Sequence, residues 1–168
     1  LLGLPNDDAV VRSMPNTPAL VGEGMTGLFS NSDQRAHGRI LAERVMSAVG
    51  QCVWVNNESD LDLVTAISGS GPAYFFLFME SLADAAVELG LSPQTAHQLA
   101  VQTALGAAKL AQTSDDGLVK LRENVTSPGG TTEQAIKSFE ASELRTIVMS
   151  ATRAAKKRSI ELSEEFGL

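Results

Sequence analysis

Apolar and polar positions follow more than one rhythm along this chain. Residues 9–14, AVVRSM, and 25–29, MTGLF, are short apolar and β-branched runs separated by the breakers PNTP and GEG, and they read as strands. Asn31 and Gln34 have capping-box spacing, and Ala36, Ile40, Leu41, Val45 and Ala48 recur at helical intervals until Gly50 supplies a stop. That pattern predicts a helix. CVWV at 52–55 then closes a strand–helix–strand unit, the building block of a parallel α/β sheet. Two or three strands make a poor sheet on their own.

After NNESD at 56–60 the rhythm becomes helical, and nothing from Leu61 to Leu168 reads as a strand. LDLVTAIS leads into GSGP, where Pro72 suits a first helical position. Between Ala73 and Leu89 the strongly polar residues besides Ser81 are Glu80, Asp84 and Glu88, four apart in one narrow stripe, so nearly every other face is expected to be buried. Gly90 ends that helix, and Ser92 followed by Pro93 starts the next in cap-then-proline order. This next helix, running to about Thr113, carries one charge, Lys109, and its small residues Ala96, Ala100, Ala104, Ala107 and Ala108 allow close helix approach. Two consecutive helices with so little charged surface leave large apolar patches, which mark an interface. They predict a helical dimerisation domain, against the alternative of a monomer whose own helices cover both.

A last helix is expected from near Ser142 to about Phe166, with Leu144, Val148, Ala151, Ala155, Leu162 and Phe166 along one side. Arg153, Lys156, Lys157 and Arg158 lie on the other; they read as a solvated face with Lys157 and Glu161 paired at i,i+4, or as partners for a cofactor phosphate. The fold class is therefore mainly α: a helical dimerisation domain over 58–168, preceded over 1–57 by the strands and helix of a small α/β unit.

Composition narrows the function. A chain of 168 residues holds one or two domains and buries about 70% of its unfolded surface. Acidic residues outnumber basic ones 20 to 13, the formal charge is -7, and no Lys/Arg block is present, which argues against nucleic acid as a partner. One cysteine, Cys52, cannot form an internal disulfide, and with His37 and His97 it makes no metal-ligand set. A reducing, cytoplasmic setting is expected. The strongly apolar run AYFFLFM at 73–79 is far shorter than the roughly 20 residues of a membrane span, so no membrane is expected as a partner. The chain opens without an initiator methionine and runs almost at once into a strand, which reads as a piece of something longer.

The chemistry concentrates in NVTSPGGTT at 124–132, just upstream of the helical EQAIKSFEASEL. The first N–H groups of a helix lack internal partners and carry partial positive charge, so an anion is their natural guest. Thr131 and Gln134 have capping-box spacing, which places Thr132 in the first turn with its hydroxyl free. Gly129 and Gly130 remove side chains where a ligand would touch backbone, and Ser127 adds a donor. A small carboxylate or phosphate fits this loop; so does the plainer reading of a Pro-Gly-Gly turn that only redirects the chain. A Walker loop does not, for no lysine follows the last glycine. SGSGPAY at 68–74 lacks the strand and third glycine of a dinucleotide fingerprint, and a helix break that lets two backbones pass closely explains it as well.

Three segments together, RSMPNTPALVGEGMTGLF (12–29), VTAISGSGPAYFFLFMESLADAAVELGL (64–91) and LRENVTSPGGTTEQAI (121–136), closely resemble pyrroline-5-carboxylate reductase in order and spacing. The resemblance runs from about Ala9 to the end, with MPNTP and SPGGTT its most specific parts. It implies reduction of the C=N bond of pyrroline-5-carboxylate to L-proline by NADPH or NADH, and a homodimer or larger ring of dimers. It also implies that residues 1–57 are the last strands and helix of a Rossmann-like α/β domain whose glycine-rich βαβ half, which cradles the cofactor pyrophosphate, is missing here, so that the chain alone is inactive. By the same resemblance the substrate carboxylate sits on Ser127, Gly129, Gly130 and Thr131, Thr132 bonds the ring nitrogen, and Asp115 approaches substrate from the partner subunit. Asn16, Thr17 and Pro18 lie beside the nicotinamide, with Ser70 and Gly71 nearby. The contrasting reading is a non-catalytic helical dimerisation or ligand-sensing module.

Overall fold

The computed structural model describes residues 10–30 and 36–166, with side-chain surroundings for all of these except Ala36 and His37. The capping box expected at Asn31 and Gln34 lies outside the described residues. Contacts divide the chain into two compact units, Leu1–Ala73 together with Ala151–Leu168, and Tyr74–Ser150. This division differs from the change of sequence character at 57/58 because the segment after residue 58 packs on the sheet: Leu61 and Ala66 are buried, and Val64 lies against Gly27 of a strand.

In the first unit, β1 (Val11–Met14), β2 (Gly24–Ser30) and β3 (Gly50–Trp54) form a three-stranded sheet in that order. β2 and β3 are parallel, with Gly24 opposite Gly50 and Leu28 opposite Trp54, and α1 (Ala36–Met46) makes the crossover that the sequence predicts. β1 runs antiparallel to β2, pairing Val11 with Ser30 and Met14 with Gly27. The antiparallel hand follows from the short connection: a single 3-10 turn, Thr17–Val21, leaves no room for a crossover. Thr26 and Leu28, two apart on β2 and so on one face, are almost wholly buried.

Two glycines fix how closely β2 and β3 approach. A Cβ on Gly50 would fall 2.0 Å from the carbonyl oxygen of Gly24, and Gly50 itself has φ +152°. No larger residue fits without moving a strand.

α2 (Asp60–Val64) continues through a π turn (Thr65–Gly69), where the Ser70 N–H reaches the Thr65 carbonyl at 2.8 Å, into α3 (Gly71–Glu88). Gly71 is thus the first helical residue and Pro72 the second. The stretch Asp60–Glu88, 29 residues long, contains an 18-residue window with a mean hydropathy of 1.3, long and apolar enough to cross a membrane by length and composition. The apolar run at 73–79 hides this because the helical rise continues through GSGP instead of breaking there.

In the second unit, Gly90 (φ +105°) terminates α3, and the Ser92 hydroxyl caps α4 (Pro93–Thr113) by accepting the Thr95 N–H at 3.2 Å. Of the small-residue stripe, Ala96 and Ala100 are buried and Ala104 is half-buried, while Ala107 and Ala108 are exposed. α5 (Leu118–Asn124), unread in the sequence, follows Gly117; then come α6 (Thr131–Ala141) and α7 (Leu144–Phe166), whose residues from Ala151 onward belong to the first unit. Glu143, at φ +56°, separates the last two helices, and the Arg145 guanidinium forks onto the Glu140 carboxylate across that bend at 2.7–3.0 Å. Phe78 of α3 meets Phe139 of α6 with ring centroids 6.1 Å apart.

The uncovered apolar patches expected of an interface are present. Within this single chain Phe75 is 69% exposed, Phe76 62% and Leu77 63%, so the apolar faces of α3 are not covered. The apolar side of α7 is exposed at Val148, Ala151, Leu162 and Phe166 and half-buried at Leu144 and Ala155. Helical periodicity reports which faces avoid water, not which chain covers them.

Gly50→Ala is expected to lower unfolding stability by about 2 kcal/mol or more, through strain at positive φ and the clash with Gly24. Urea denaturation checks this; an unchanged midpoint would contradict the close-approach account.

Candidate functional site

The 127–132 loop is built from the residues that make it. Pro128 and Gly129 occupy the two central positions of a tight turn, the latter at φ +73°, and the Gly130 N–H closes it on the Ser127 carbonyl at 3.0 Å. A proline followed by a glycine with positive φ is the signature of a type II turn. A Cβ on Gly129 would meet nothing within 4 Å, so its outer face is open, whereas one on Gly130 would press on the Ser127 carbonyl at 3.0 Å.

The helix start sits one residue earlier than the Thr131–Gln134 box implies. Gly130 is the N-cap, Thr131 and Thr132 are the first two helical residues, and the Gln134 N–H makes the first helical bond, to Gly130, at 3.3 Å. Gly130 wins the cap position because the closed turn already sets its extended backbone, φ -80° and ψ 171°. Glu133 therefore occupies the position from which an acidic side chain reaches back. Its Oε2 accepts the Gly129 N–H at 2.8 Å, and its Oε1 pairs with Lys137 Nζ at 3.1 Å. Sequence reasoning missed Glu133; reading Gly-x-x-Glu in place of Thr-x-x-Gln would have found it. The backbone N–H groups of Thr131 and Thr132 and both threonine hydroxyls have no acceptor or donor among the described residues.

Charge follows the same geometry. The Gly129 N–H, and after it Lys137, hold the Glu133 carboxyl below its ordinary value of 4.5. The loop therefore contains a fixed carboxylate with a neighbouring ammonium, and its unpaired N–H groups lie at the positive end of α6.

Asn16, Thr17, Pro18, Ser70 and Gly71 fall in the first unit, while Asp115 and 127–132 fall in the second. Asn16 is a tie rather than a free amide. Its Nδ2 donates to the Ser68 carbonyl at 3.0 Å and its Oδ1 accepts the Met25 N–H at 2.8 Å, joining the end of β1 to β2 and to the π turn. Thr17 and Pro18 open the 3-10 turn that Asn16 holds, with Thr17 exposed. Ser70 lines an open cavity of about 390 Å³ with Arg12, Met14, Asp62 and Ser159, and Gly71 begins α3 beside it. Gly69 packs on Met14 of this lining, where an added Cβ would stand 2.7 Å from the methionine Cε. Asp115 is exposed in the α4–α5 connection, whose base is tied by the Asn124 amide donating to Asp116 at 3.1 Å.

Two of the four α7 cations are seen to pair on the helix. Lys157 meets Glu161 at 3.7 Å and Arg158 meets Glu161 and Glu165 at 3.1 and 2.9 Å, as a solvated face requires.

A short α/β unit carrying a tied MPNTP turn and an apolar helical array with an open SPGG helix start define a two-unit protein of the α/β-plus-helical class. Residues 58–162 match the family described as pyrroline-5-carboxylate reductase dimerisation, and the chain belongs to that family. It is 51% identical over 166 residues to the pyrroline-5-carboxylate reductase of Pseudomonas aeruginosa, covering 99% of this chain and 60% of the relative. The Haemophilus influenzae reductase is 44% identical over 97% of this chain and 60% of its own length. Among solved structures, the Coxiella burnetii pyrroline-5-carboxylate reductase superposes with a TM-score of 0.91 at 49% identity, covering 95% of this chain and 59% of that one. The Plasmodium falciparum enzyme, solved with NADP bound, gives 0.82 at 38% identity, over 92% of this chain and 62% of that one. The chain thus spans about 60% of the length of the curated relatives it matches.

Because the Glu133 carboxyl is depressed, its bond to Gly129 is complete above pH 4.5 and is lost as pH falls through the lower, folded-state value. The Gly129 amide shift should be flat above that pH and titrate below it. A midpoint at or above 4.5 would contradict the tether.

Asn16→Ala removes two part-buried hydrogen bonds and is expected to cost about 1–3 kcal/mol of stability by urea denaturation. A loss under about 0.5 kcal/mol would show that Asn16 does not hold the turn.

Proposed function

We propose that this chain supplies the substrate-binding and dimer-forming part of a pyrroline-5-carboxylate reductase, which reduces the C=N bond of pyrroline-5-carboxylate to give L-proline. The observation that carries the proposal is the loop at 127–132. In a chain of this family, it presents the unpaired N–H groups of Thr131 and Thr132 at a helix start, beside a glycine whose outer face is open.

In this reading the substrate carboxylate rests on Ser127, Gly129, Gly130 and Thr131. The Gly129 and Gly130 N–H groups are spent on Glu133 and on Ser127, so those glycines contribute close approach while Thr131 contributes the donor. The Thr132 hydroxyl faces the ring nitrogen. A protonated imine is already electrophilic: as its carbon gains a hydride, the nitrogen changes from iminium to neutral amine, and its new lone pair accepts the Thr132 O–H. The protein's main task is to hold the reacting groups in line and exclude water, which removes the need for a histidine–carboxylate pair. Asp115 reaches the substrate from a second copy of the chain.

A reduced nicotinamide, of NADPH or NADH, supplies the hydride when bound. The residues present fit its nicotinamide end. Asn16 is committed to shaping the turn, which leaves the exposed Thr17 and the half-buried Pro18 as the surface offered to it, with Ser70 on the cavity of the same unit and Gly71 next to it in the chain. The uncovered apolar faces of α3 and α4 fit a homodimer, the assembly on which larger rings are built.

In the enzyme that joins this chain to its nucleotide-binding half, Thr132→Ala should lower kcat roughly 10-fold or more with the fold intact. An unchanged kcat would remove Thr132 from the reaction.

A further inference from the structure

We infer that Glu133 is a positioning residue for the carboxylate-binding loop, holding the Gly129 peptide so that the donors of Thr131 and Thr132 stand ready before ligand arrives. The inference rests on the proposed role of 127–132 as the carboxylate site.

Three observations carry it. The Glu133 carboxylate reaches past the N-cap to a peptide outside α6, the Gly129 N–H at 2.8 Å, so the bond does more than cap the helix. The turn is then closed from both sides, by Glu133 on Gly129 and by the Ser127 carbonyl on Gly130 at 3.0 Å. Both glycine N–H groups are consumed inside the protein, which leaves the first two helical N–H groups as the donors a ligand can use. Without Glu133 the Pro128–Gly129 turn keeps one closing bond, and Gly129, having no side chain to restrict it, regains much of its backbone freedom. Ligand binding would then have to order the loop as well, and affinity falls by that amount.

The charge of Glu133 opposes an incoming anion, and Lys137 at 3.1 Å offsets it. Their side chains are 30% and 62% exposed, so both effects are screened. The hydrogen bond, not the charge, is therefore the dominant contribution, and glutamine, which keeps an acceptor oxygen, should preserve it.

The test is an amide NMR titration of the chain with L-proline, for the wild type, Glu133→Ala and Glu133→Gln. Wild type should shift at 127–132. Glu133→Ala should bind roughly 3- to 10-fold more weakly, with the Gly129 amide already displaced in the free protein and the spectrum elsewhere unchanged. Glu133→Gln should bind within about 2-fold of wild type. Equal binding by all three overturns the positioning role and leaves the loop as the carboxylate site. Equal weakening by both substitutions overturns it too, since charge would then matter rather than the bond. A wild type that shows no shifts at saturating proline overturns the carboxylate-site reading, and the positioning role with it.

Discussion

The constraint on which the helical part depends is that one chain cannot cover its own apolar surface. Among the described residues the buried hydrophobic ones are Leu28, Leu61, Ala66, Ala96 and Ala100, three of them alanines. Meanwhile α3 presents phenylalanines at 75, 76 and 78 to solvent, and α4 presents Leu99, Leu105 and Leu110. Burying a side chain of that size is worth about 1.5–3 kcal/mol, so several such side chains outweigh the margin by which a domain is folded. Lining α4 with alanine only makes sense if another helix comes close. A second copy meets that requirement, and it also brings a second Asp115 to the substrate in the proposed reaction.

The loop at 127–132 follows a different logic, in which little is buried and position is everything. Proline fixes one torsion, a positive-φ glycine the next, and a carboxylate from the following helix ties the peptide between them. The result is a short stretch of backbone with unpaired donors and no side chain in the way. In the proposed reaction such a site would receive a small ring with a carboxylate and a reactive C=N bond, a chemistry that asks for alignment more than for acid–base groups. Asn16 performs the corresponding service on the other unit, where its amide fixes the turn that offers Thr17 and Pro18.

Much of this was legible in the sequence wherever one local signal decided the outcome. Ser92 and Pro93 announced α4, Gly90 ended α3, and the β2–α1–β3 rhythm announced a parallel pair. Signals failed where two local choices competed or where the answer lay beyond the segment. Thr131 and Gly130 both qualify as caps, and the turn upstream chose glycine. α5 is too short for its periodicity to stand out, and GSGP looked like a break although a π turn carries the helix through it. The apolar faces of α3 were legible from periodicity, which is silent on whether their cover is intramolecular. The MPNTP and SPGGTT segments were informative as a resemblance, while the partners of Asn16 and Glu133 became visible only as geometry.

The measurement that bears most directly on this account is the mass of the chain in solution by sedimentation equilibrium, from micromolar down to nanomolar protein. The account predicts a dimer, or a multiple of one, across the micromolar range, with loss of helical signal accompanying any dissociation on dilution. A stable, fully helical monomer of 17.7 kDa would contradict it, for the faces of α3 and α4 would then be tolerated in water without a partner.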